Sequence, residues 1–356
     1  MPRAHAALSA LMLTFACGQD RAPAIAAAAA DSTGARTGGG AGAIYVSNED
    51  SRDLTVIDAA SDSVVATIAV GTRPRGVHVG PDGRVFVAVS GSPKCPPTMP
   101  DAECAKLVAD RSQDGIAVVD VAGRRVERML PGGSDPENFA VSPDGARLFV
   151  SNEDANAATI VDVASGKVLA TVPVGREPEG VGVRPGASEV WVTGETDHDV
   201  TIFDGATGRV TGHIVVDKRP RGVAFSPDGA TAYVTAEVGG TLSIVDAPAR
   251  RVSATIAFPA GAKPMGIVVA PDGSRVYVTT GRGGTLAVVD PAAKQIVGTI
   301  AVGPRPWGVA LSADGRRLYT ANGPSGDVSV VDVATLSVVK RIPAGKMPWG
   351  VAVGGR

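Results

Sequence analysis

The chain is poor in the residue types from which many functional sites are built. Its 356 residues include 3 Cys, 4 His, 3 Trp and 4 Tyr, and aromatic residues make up only 4% of it. No two histidines stand at a spacing typical of metal ligands, which disfavours the usual mononuclear metal site. The 34 basic and 36 acidic residues nearly cancel, leaving a net charge of -2. We therefore expect neither nucleic-acid binding nor bulk attraction to an anionic membrane.

Long apolar runs are also scarce, and the main one lies at the start of the chain. After Arg3, eleven residues from Ala6 to Ala16 form an apolar run that is too short to span a membrane and is typical of an export signal. The segment Thr14-Phe15-Ala16-Cys17 resembles the lipobox of bacterial lipoproteins, although that family usually has Leu where Thr14 stands. We expect lipidation at Cys17, with simple cleavage after residues 26–30 as the alternative. Either route exports the protein, to the periplasm or to a lipid-anchored place on the outer membrane or cell surface.

Glycine, proline and repetition are what the sequence has in abundance, with 45 Gly and 26 Pro. A unit of about forty residues recurs seven times, each marked by a strand of the type Val-x-Val-Asp. Successive marker aspartates are 62, 42, 42, 42, 44 and 42 residues apart, so the first interval is 42 plus an insertion of 20. This period suits four strands per unit, and seven such units close into a ring. The markers are Asp58, Asp120, Asp162, Asp204, Asp246, Asp290 and Asp332.

The repeat predicts an all-β fold, a seven-bladed β-propeller of four-stranded antiparallel blades. We expect an export signal at 1–17, a flexible linker at 18–42, and one propeller domain at 43–356 with an insertion at 91–114. The segment Ile44–Val46 has the pattern of a second strand and Gly350–Val353 that of a first strand. The last strand should therefore pair with the first blade and close the ring. The marker aspartates should accept backbone hydrogen bonds in the following turns.

The second strands carry a recognisable tetrapeptide. Ile44-Tyr45-Val46-Ser47-Asn48, and its counterparts at 148–152, 232–235 and 276–279, resemble the YVTN repeat family. The segments at 73–76, 135–137, 151–154, 177–180 and 347–350 resemble, more narrowly, the periplasmic propellers associated with catabolism dependent on pyrroloquinoline quinone (PQQ). The resemblance covers essentially all of 43–356 and implies proximity to quinoprotein oxidation. The insertion is a departure from it.

One end of the channel is the predicted site, because the first strand of an antiparallel blade begins where the second strand ends. The post-proline residues that open the first strands are Arg75, Glu137, Glu179, Arg221, Met265, Trp307 and Trp349. Four second strands are followed by glutamates, Glu49, Glu153, Glu195 and Glu237, where the later blades have Gly281 and Gly323. This arrangement predicts an aromatic wall facing a charged arc, suited to a planar anionic ligand or a partner peptide.

A purely structural interpretation of the same residues stays open. Arginine and glutamate around a channel mouth commonly form a solvated salt-bridge lattice, and tryptophan can simply plug the channel. No single carboxylate is assigned as a catalytic acid or base. His78 stands where sister blades have Ala, which predicts burial beside a local gap.

The insertion carries Cys95 and Cys104, the two cysteines outside the export signal. In an exported protein such a pair predicts a disulfide, and the absence of Cys-x-x-Cys spacing argues against a redox or metal centre. The loop lies on the side of the predicted site and would overhang it.

The favoured function is an exported, non-catalytic binding or scaffolding propeller. It would be monomeric, with a periplasmic or cell-surface protein partner from a quinoprotein system, and it would touch a membrane only through a lipid anchor. The alternative is a propeller enzyme of lactonase or lyase type that uses rim carboxylates such as Glu153 or Glu195. No cofactor is certain, although PQQ or a divalent cation fits either class.

Overall fold

The computed structural model describes residues 42–94, 99–104 and 106–354. These residues form seven four-stranded sheets with antiparallel pairing throughout, which are the blades of a closed ring. The predicted fold class is confirmed. Export signal, linker and Cys17 lie outside the described residues, and so does Cys95. None of the helices in the described part of the chain is long and apolar enough to cross a bilayer.

The strands are numbered in chain order and grouped by blade. Blade 1 comprises β28 (Pro348–Gly354), β1 (Ala43–Asn48), β2 (Asp53–Asp58) and β3 (Ser63–Ala69); blade 2 comprises β4 (Val77–Val79), β5 (Val85–Val89), β6 (Gly115–Asp120) and β7 (Arg125–Leu130); blade 3 comprises β8 (Pro136–Val141), β9 (Arg147–Asn152), β10 (Ala157–Asp162) and β11 (Val168–Pro173); blade 4 comprises β12 (Pro178–Val183), β13 (Glu189–Gly194), β14 (Asp199–Asp204) and β15 (Val210–Val215). Blade 5 comprises β16 (Pro220–Phe225), β17 (Thr231–Ala236), β18 (Thr241–Asp246) and β19 (Arg251–Ala257); blade 6 comprises β20 (Ile267–Val269), β21 (Val276–Thr279), β22 (Thr285–Asp290) and β23 (Gln295–Ala301); blade 7 comprises β24 (Pro306–Leu311), β25 (Arg317–Asn322), β26 (Asp327–Asp332) and β27 (Ser337–Pro343). A short helix, α1 (Asp101–Cys104), and 3-10 turns at Arg111–Gln113 and Gly281–Gly283 complete the elements.

Ring closure follows the prediction. Strand β28 pairs antiparallel with β1, with Val353 opposite Ile44 and Val351 opposite Val46. The innermost strand of blade 1 therefore comes from the far end of the chain. This pairing covers the backbone groups that β1 would otherwise expose as an open edge.

The core is divided among the blade interfaces. Each of seven apolar clusters fills the space between two neighbouring blades, and Tyr45 with Val87 between blades 1 and 2 is one example. The second and third strands are buried on both faces, whereas the outer strands alternate buried and exposed positions. Because a fully buried large apolar side chain contributes roughly 1.5–3 kcal/mol, each blade depends on its neighbours for most of its stability.

The marker aspartates act in turns, as predicted. Asp204 accepts hydrogen bonds from the backbone N–H groups of Ala206 (3.2 Å) and Thr207 (2.8 Å), and the other six markers accept at least one such bond. Hydrogen bonds from Ser188 and Thr207 lower the pKa of Asp204 to about 2. The marker carboxylates thus anchor the loops between third and fourth strands through these backbone hydrogen bonds.

Candidate functional site

The predicted end of the channel, here called the rim, is built from two backbone segments in each blade. The residue before each inner-strand proline has a left-handed backbone in six blades, with φ between 41° and 60°. In five of these blades its carbonyl accepts a hydrogen bond from the residue after the second strand, as between Arg219 and the N–H of Glu237 (2.8 Å) or between Glu177 and the N–H of Glu195 (3.1 Å). The post-proline residues and the second-strand glutamates therefore share one rim. The pre-proline residues are Arg73, Asp135, Glu177, Arg219, Lys263, Arg305 and Met347.

Hydroxyl groups of the YVTN-like strands join neighbouring blades below the rim. Thr193 Oγ1 accepts a hydrogen bond from the N–H of Gly180 in its own blade (2.8 Å) and donates to the carbonyl of Arg221 in the next blade (3.0 Å). An added Cβ at Gly180 would lie 2.0 Å from that carbonyl oxygen, so glycine is required for this close approach. Equivalent bridges to the next blade's post-proline carbonyl come from Ser47, Ser151, Thr235 and Thr279. The two remaining blades have Ala88 and Ala321 at this position.

Arg75 is the centre of the first charged cluster. Its guanidinium pairs with Glu137, with Glu49 (3.3 Å) and with Glu153 (3.5 Å). Two further cations, Arg73 (3.3 Å) and Lys94 (2.8 Å), also pair with Glu49. This glutamate therefore has three cationic partners.

Arg221 is the centre of the second cluster. It pairs with Glu179 and Glu195 and with Glu237 (2.9 Å), while Arg219 pairs with Glu195 (2.5 Å). Burial raises the pKa of Glu195 to about 8; Arg219 opposes this rise, and the neighbouring carboxylate of Glu153 adds to it. Burial also favours the neutral form of Glu237, but Arg221 and Arg219 outweigh it and lower the pKa of that carboxyl. The groups of each cluster are therefore paired with one another, and most of them are largely buried, whereas Arg219 and Glu153 stay partly exposed.

The aromatic sector lies at blades 7 and 1. The rings of Trp307 and Trp349 stack with centroids 5.9 Å apart and an interplanar angle of 25°. The Cζ atoms of Arg305 and Arg221 lie 4.9 Å and 6.0 Å from the centre of the Trp307 ring. Trp307 also covers Gly323, where a Cβ would lie 3.4 Å from its Nε1 atom. A Cβ at this distance would be in ordinary van der Waals contact with the indole.

Segments from all seven blades line a channel cavity of about 170 Å³, which begins at the rim, since Glu179, Arg221, Met265, Trp307 and Trp349 are among its lining residues. His78 and Asn138 are its distinctive wall residues, with His78 Nε2 3.0 Å from Asn138 Oδ1. Burial lowers the pKa of His78, and the hydrogen bond to Asn138 opposes this effect. The sequence predicted burial beside a local gap, but the histidine faces the channel. Its imidazole contacts Asn138, which occupies the position where the other blades have glycine.

One group of carboxylates has oxygen atoms close enough to share a cation. Asp135, Glu137 and Glu153 each offer an oxygen within 4.8 Å of the others. Burial raises the pKa of Asp135, opposed by Arg75 and by the hydrogen bond from Ser90, while Glu153 adds to the rise. An all-oxygen set suits Ca²⁺. Arg75, however, already pairs with Glu137 and Glu153, so a metal ion would have to displace a guanidinium.

Several rim residues were not singled out from the sequence. Arg73, Arg219 and Arg305 lie on the rim because each precedes the proline that opens an inner strand. The X-Pro pair that recurs in every blade could have indicated their position. The described ends of the insertion also reach the rim, through Lys94 to Glu49 and through Arg111 to Asp154. Met265 is buried at 5% exposure and presents little surface, and the same holds for Glu49, Glu137, Glu179 and Glu195, which are 4–7% exposed. The predicted Cys95–Cys104 disulfide remains a prediction, because Cys95 lies outside the described residues and the side chain of Cys104 is not described.

The comparisons with known proteins support the propeller. The profile of a family described as "Cytochrome D1 heme domain" matches residues 229–351, which is less than half of the chain. No curated protein matches the sequence significantly.

Among solved structures, hydrazine synthase from Kuenenia stuttgartiensis is similar with a TM-score of 0.69 at 21% identity, over 82% of this chain and 92% of that one. A functionally unknown protein from Desulfotomaculum acetoxidans has a TM-score of 0.72 at 17% identity, over 88% and 99%. A candidate 6-phosphogluconolactonase from Bacteroides uniformis has a TM-score of 0.68 at 16% identity, over 87% and 98%. At such low identity the likeness shows the fold alone.

A haem group does not fit the channel of this chain. The matched residues 229–351 contain no histidine, and the cavity of about 170 Å³ is smaller than the roughly 300–1,000 Å³ of ordinary ligand and cofactor pockets. The family match is therefore a match of repeat and fold, and we derive no haem chemistry from it.

Proposed function

We propose that this protein is an exported, non-catalytic binding propeller that docks a protein partner on its rim. The proposal rests on the difference between the small channel cavity and the surface of the rim. The channel cavity has a volume of only about 170 Å³, whereas the rim at its mouth presents a stacked, half-buried tryptophan pair and the exposed cations Lys94 and Arg219 of the two charged clusters. A surface of this kind contacts a partner from outside instead of enclosing a small molecule.

The partner that best suits this surface belongs to periplasmic quinoprotein oxidation. The resemblance of the X-Pro and YVTN segments to PQQ-associated propellers supports this choice. Half-buried tryptophans beside arginines are also the residue types that contribute most binding energy at protein interfaces. PQQ itself would find only a rim contact, since the cavity is too small to bury it.

Tryptophan fluorescence provides the test. The chain has 3 tryptophans, and Trp191 is fully buried between blades 4 and 5, so a Trp191→Phe background leaves only the two rim indoles as reporters. This variant is titrated with a purified quinoprotein alcohol dehydrogenase from the same cell, and separately with PQQ, Ca²⁺ and sugar lactones. We expect a saturable change with the protein and none with the small molecules.

Two rim variants define the location. Arg221→Glu breaks the second charged cluster and Trp307→Ala removes half of the aromatic pair, so both should weaken partner binding at least tenfold. Unchanged affinity in both variants would refute the rim as the interface. A saturable response to PQQ that Trp307→Ala abolishes would instead identify a cofactor carrier.

A second candidate, metal-assisted lactone hydrolysis, rests on the group formed by Asp135, Glu137 and Glu153. Bound Ca²⁺ would supply Lewis-acid polarisation of the lactone carbonyl, and the three carboxylates would hold the ion. Since Arg75 competes for two of these carboxylates, Arg75→Gln should raise the affinity for Ca²⁺, as measured by isothermal titration calorimetry. Lactone turnover by the unmodified protein, lost in Glu153→Gln, would favour this candidate over the binding propeller.

A further inference from the structure

The cations on the rim fall into two classes. In the arcs around Arg75 and Arg221, the basic side chains are paired with glutamates. On blades 6 and 7, Lys263, Arg282 and Arg305 make no ion pair with any residue of the described segments. Their side chains are at least partly exposed. Lys263 lies near enough to Glu237 to help lower the pKa of that carboxyl, but no direct ion pair neutralises the three cations, so this part of the rim carries exposed positive charge in a protein whose overall charge is slightly negative.

Arg305 is held in place without using up its hydrogen-bonding capacity. Its φ of 46° fixes the direction of the side chain, and its guanidinium lies over Trp307 at 4.9 Å from the ring centre. A cation–π contact engages the face of the guanidinium and leaves its N–H donors, which lie at the edge, available. The adjoining Trp349 extends the aromatic surface. On a bound segment, a hydrogen-bond acceptor could contact the N–H groups of Arg305, and a neighbouring apolar group could pack on the two tryptophan rings.

Blade 6 adds a groove beside the other two cations. The spacing between marker aspartates is 44 residues here, against 42 in most other blades. A groove of about 370 Å³ lies at this longer loop and is lined by Phe258, Ala262, Arg282 and Thr285 among others. Lys263 directly follows Ala262. The groove thus combines an apolar wall with a guanidinium and a hydroxyl group, which suits a carboxylate carried on an apolar stem.

We propose that Lys263, Arg282, Arg305, Trp307 and Trp349, the cationic sector, bind an acidic segment of the partner protein. This inference rests on the proposed function and specifies the chemistry of the partner. Charge complementarity is the argument: a basic partner would meet glutamates that are already paired with Arg75 and Arg221, whereas an acidic one meets unpaired cations. A nucleic-acid strand is disfavoured because a phosphate backbone extending beyond the sector would run along the glutamate-rich arc.

The test uses the full propeller in the Trp191→Phe background. Ten-residue peptides of glutamate and of lysine, a ten-nucleotide thymidine strand and inorganic phosphate are titrated at low and high salt. Lys263→Glu/Arg305→Glu is the test variant. The matched control is Arg316→Glu, which reverses an exposed cation of the same blade in the turn at the opposite end of the channel.

We expect the glutamate peptide to change rim fluorescence, to weaken with salt, and to lose at least tenfold in affinity in the double variant but not in the control. Equal affinity in the double variant, or equal binding of the lysine peptide, would overturn the inference. Preferential binding of the thymidine strand or of phosphate would overturn it as well. The proposed function is judged separately: if the quinoprotein still binds the double variant normally, the rim interface stands and only the cationic sector is rejected.

Discussion

His78 Nε2 lies 3.0 Å from Asn138 Oδ1, across the interface between blades 2 and 3. Each residue replaces a smaller one at its repeat position: four sister blades have alanine in place of His78 and the other two have Gly182 and Val268, while all six have glycine in place of Asn138. The Phe139 ring meets the imidazole edge-on at 4.7 Å. The pair places an imidazole in the wall of the channel cavity, which Glu179 and Arg221 also line.

The first prediction concerns acid sensitivity. Because burial lowers the pKa of His78 below its ordinary 6.5, the unfolded chain binds a proton more readily than the folded protein as pH falls through 6.5. The free energy of unfolding should therefore decrease below that pH, and His78→Gln should reduce the decrease. Urea unfolding at pH 7.5 and 5.5 measures this change in the free energy of unfolding, and the surface variant His213→Gln is the control. An identical acid slope in His78→Gln and the unmodified protein would contradict this.

Glu195 should have the opposite pH dependence from an ordinary paired carboxylate. Its pKa is raised from 4.5 to about 8 in the folded protein, so between these values the folded state holds a proton that the unfolded state has released. The free energy of unfolding should fall as pH rises from 4.5 to 8. Glu195→Gln, which mimics the protonated form, should remove this fall, as tested by urea unfolding at pH 5, 6.5 and 8.

The control for this measurement is Glu127→Gln on the exposed face of β7. It should follow the unmodified protein at every pH. A flat stability profile already present in the unmodified protein would rule out a proton held at Glu195.

The hydroxyl bridges should contribute to stability blade by blade. Thr193→Val keeps the shape of the side chain but leaves the N–H of Gly180 and the carbonyl of Arg221 without their partner. We expect a loss of about 1–3 kcal/mol. Ala321→Ser, which introduces a hydroxyl where blade 7 lacks one, should stabilise the ring by about 0.5–1.5 kcal/mol. Chemical denaturation measures the free energy of unfolding of both variants. A stability gain in Thr193→Val would disprove the claim that this hydroxyl bridge stabilises the ring.

Removal of residues 347–356 should destabilise the whole ring. The deletion strips β28 from blade 1 and exposes the edge of β1, and it also opens the interfaces with blades 7 and 2. The fall in Tm should exceed the few degrees typical of a single substitution. Deleting only 355–356 is the control. A truncated protein that melts cooperatively at the original temperature would show that closure by this strand is dispensable.

The export signal predicts a lipid anchor at Cys17. Radiolabelled palmitate should enter the expressed protein and should be lost in Cys17→Ser, which would move from the membrane fraction to the soluble periplasmic fraction. Labelling that persists in Cys17→Ser would place the lipid elsewhere. Unlabelled, soluble protein in both cases would favour simple cleavage.

The architecture could be predicted from sequence because it depends on features that repeat. The spacing of the marker aspartates determines strand number and blade number, and each aspartate acts within its own turn. Closure was equally accessible, since Ile44–Val46 and Gly350–Val353 have complementary strand patterns. Local chemistry that recurs seven times is visible in a single chain.

The rim was harder to predict, because its chemistry lies between blades. Which glutamates meet Arg75 or Arg221 depends on the angle between adjacent sheets, which a repeat pattern does not contain. Arg305 was missed for a different reason. Residues before proline usually adopt extended conformations, so a left-handed turn that aims the side chain at the channel mouth was not expected.

Ring closure by β28 has a consequence for the order of folding. This strand follows all the others in the chain, and it carries Trp349 as well as the hydrogen bonds that close blade 1. The aromatic pair therefore assembles only when the ring does. A chain in which β28 has not yet paired would present Trp307 without its stacking partner, so the stacked pair marks a ring that has closed.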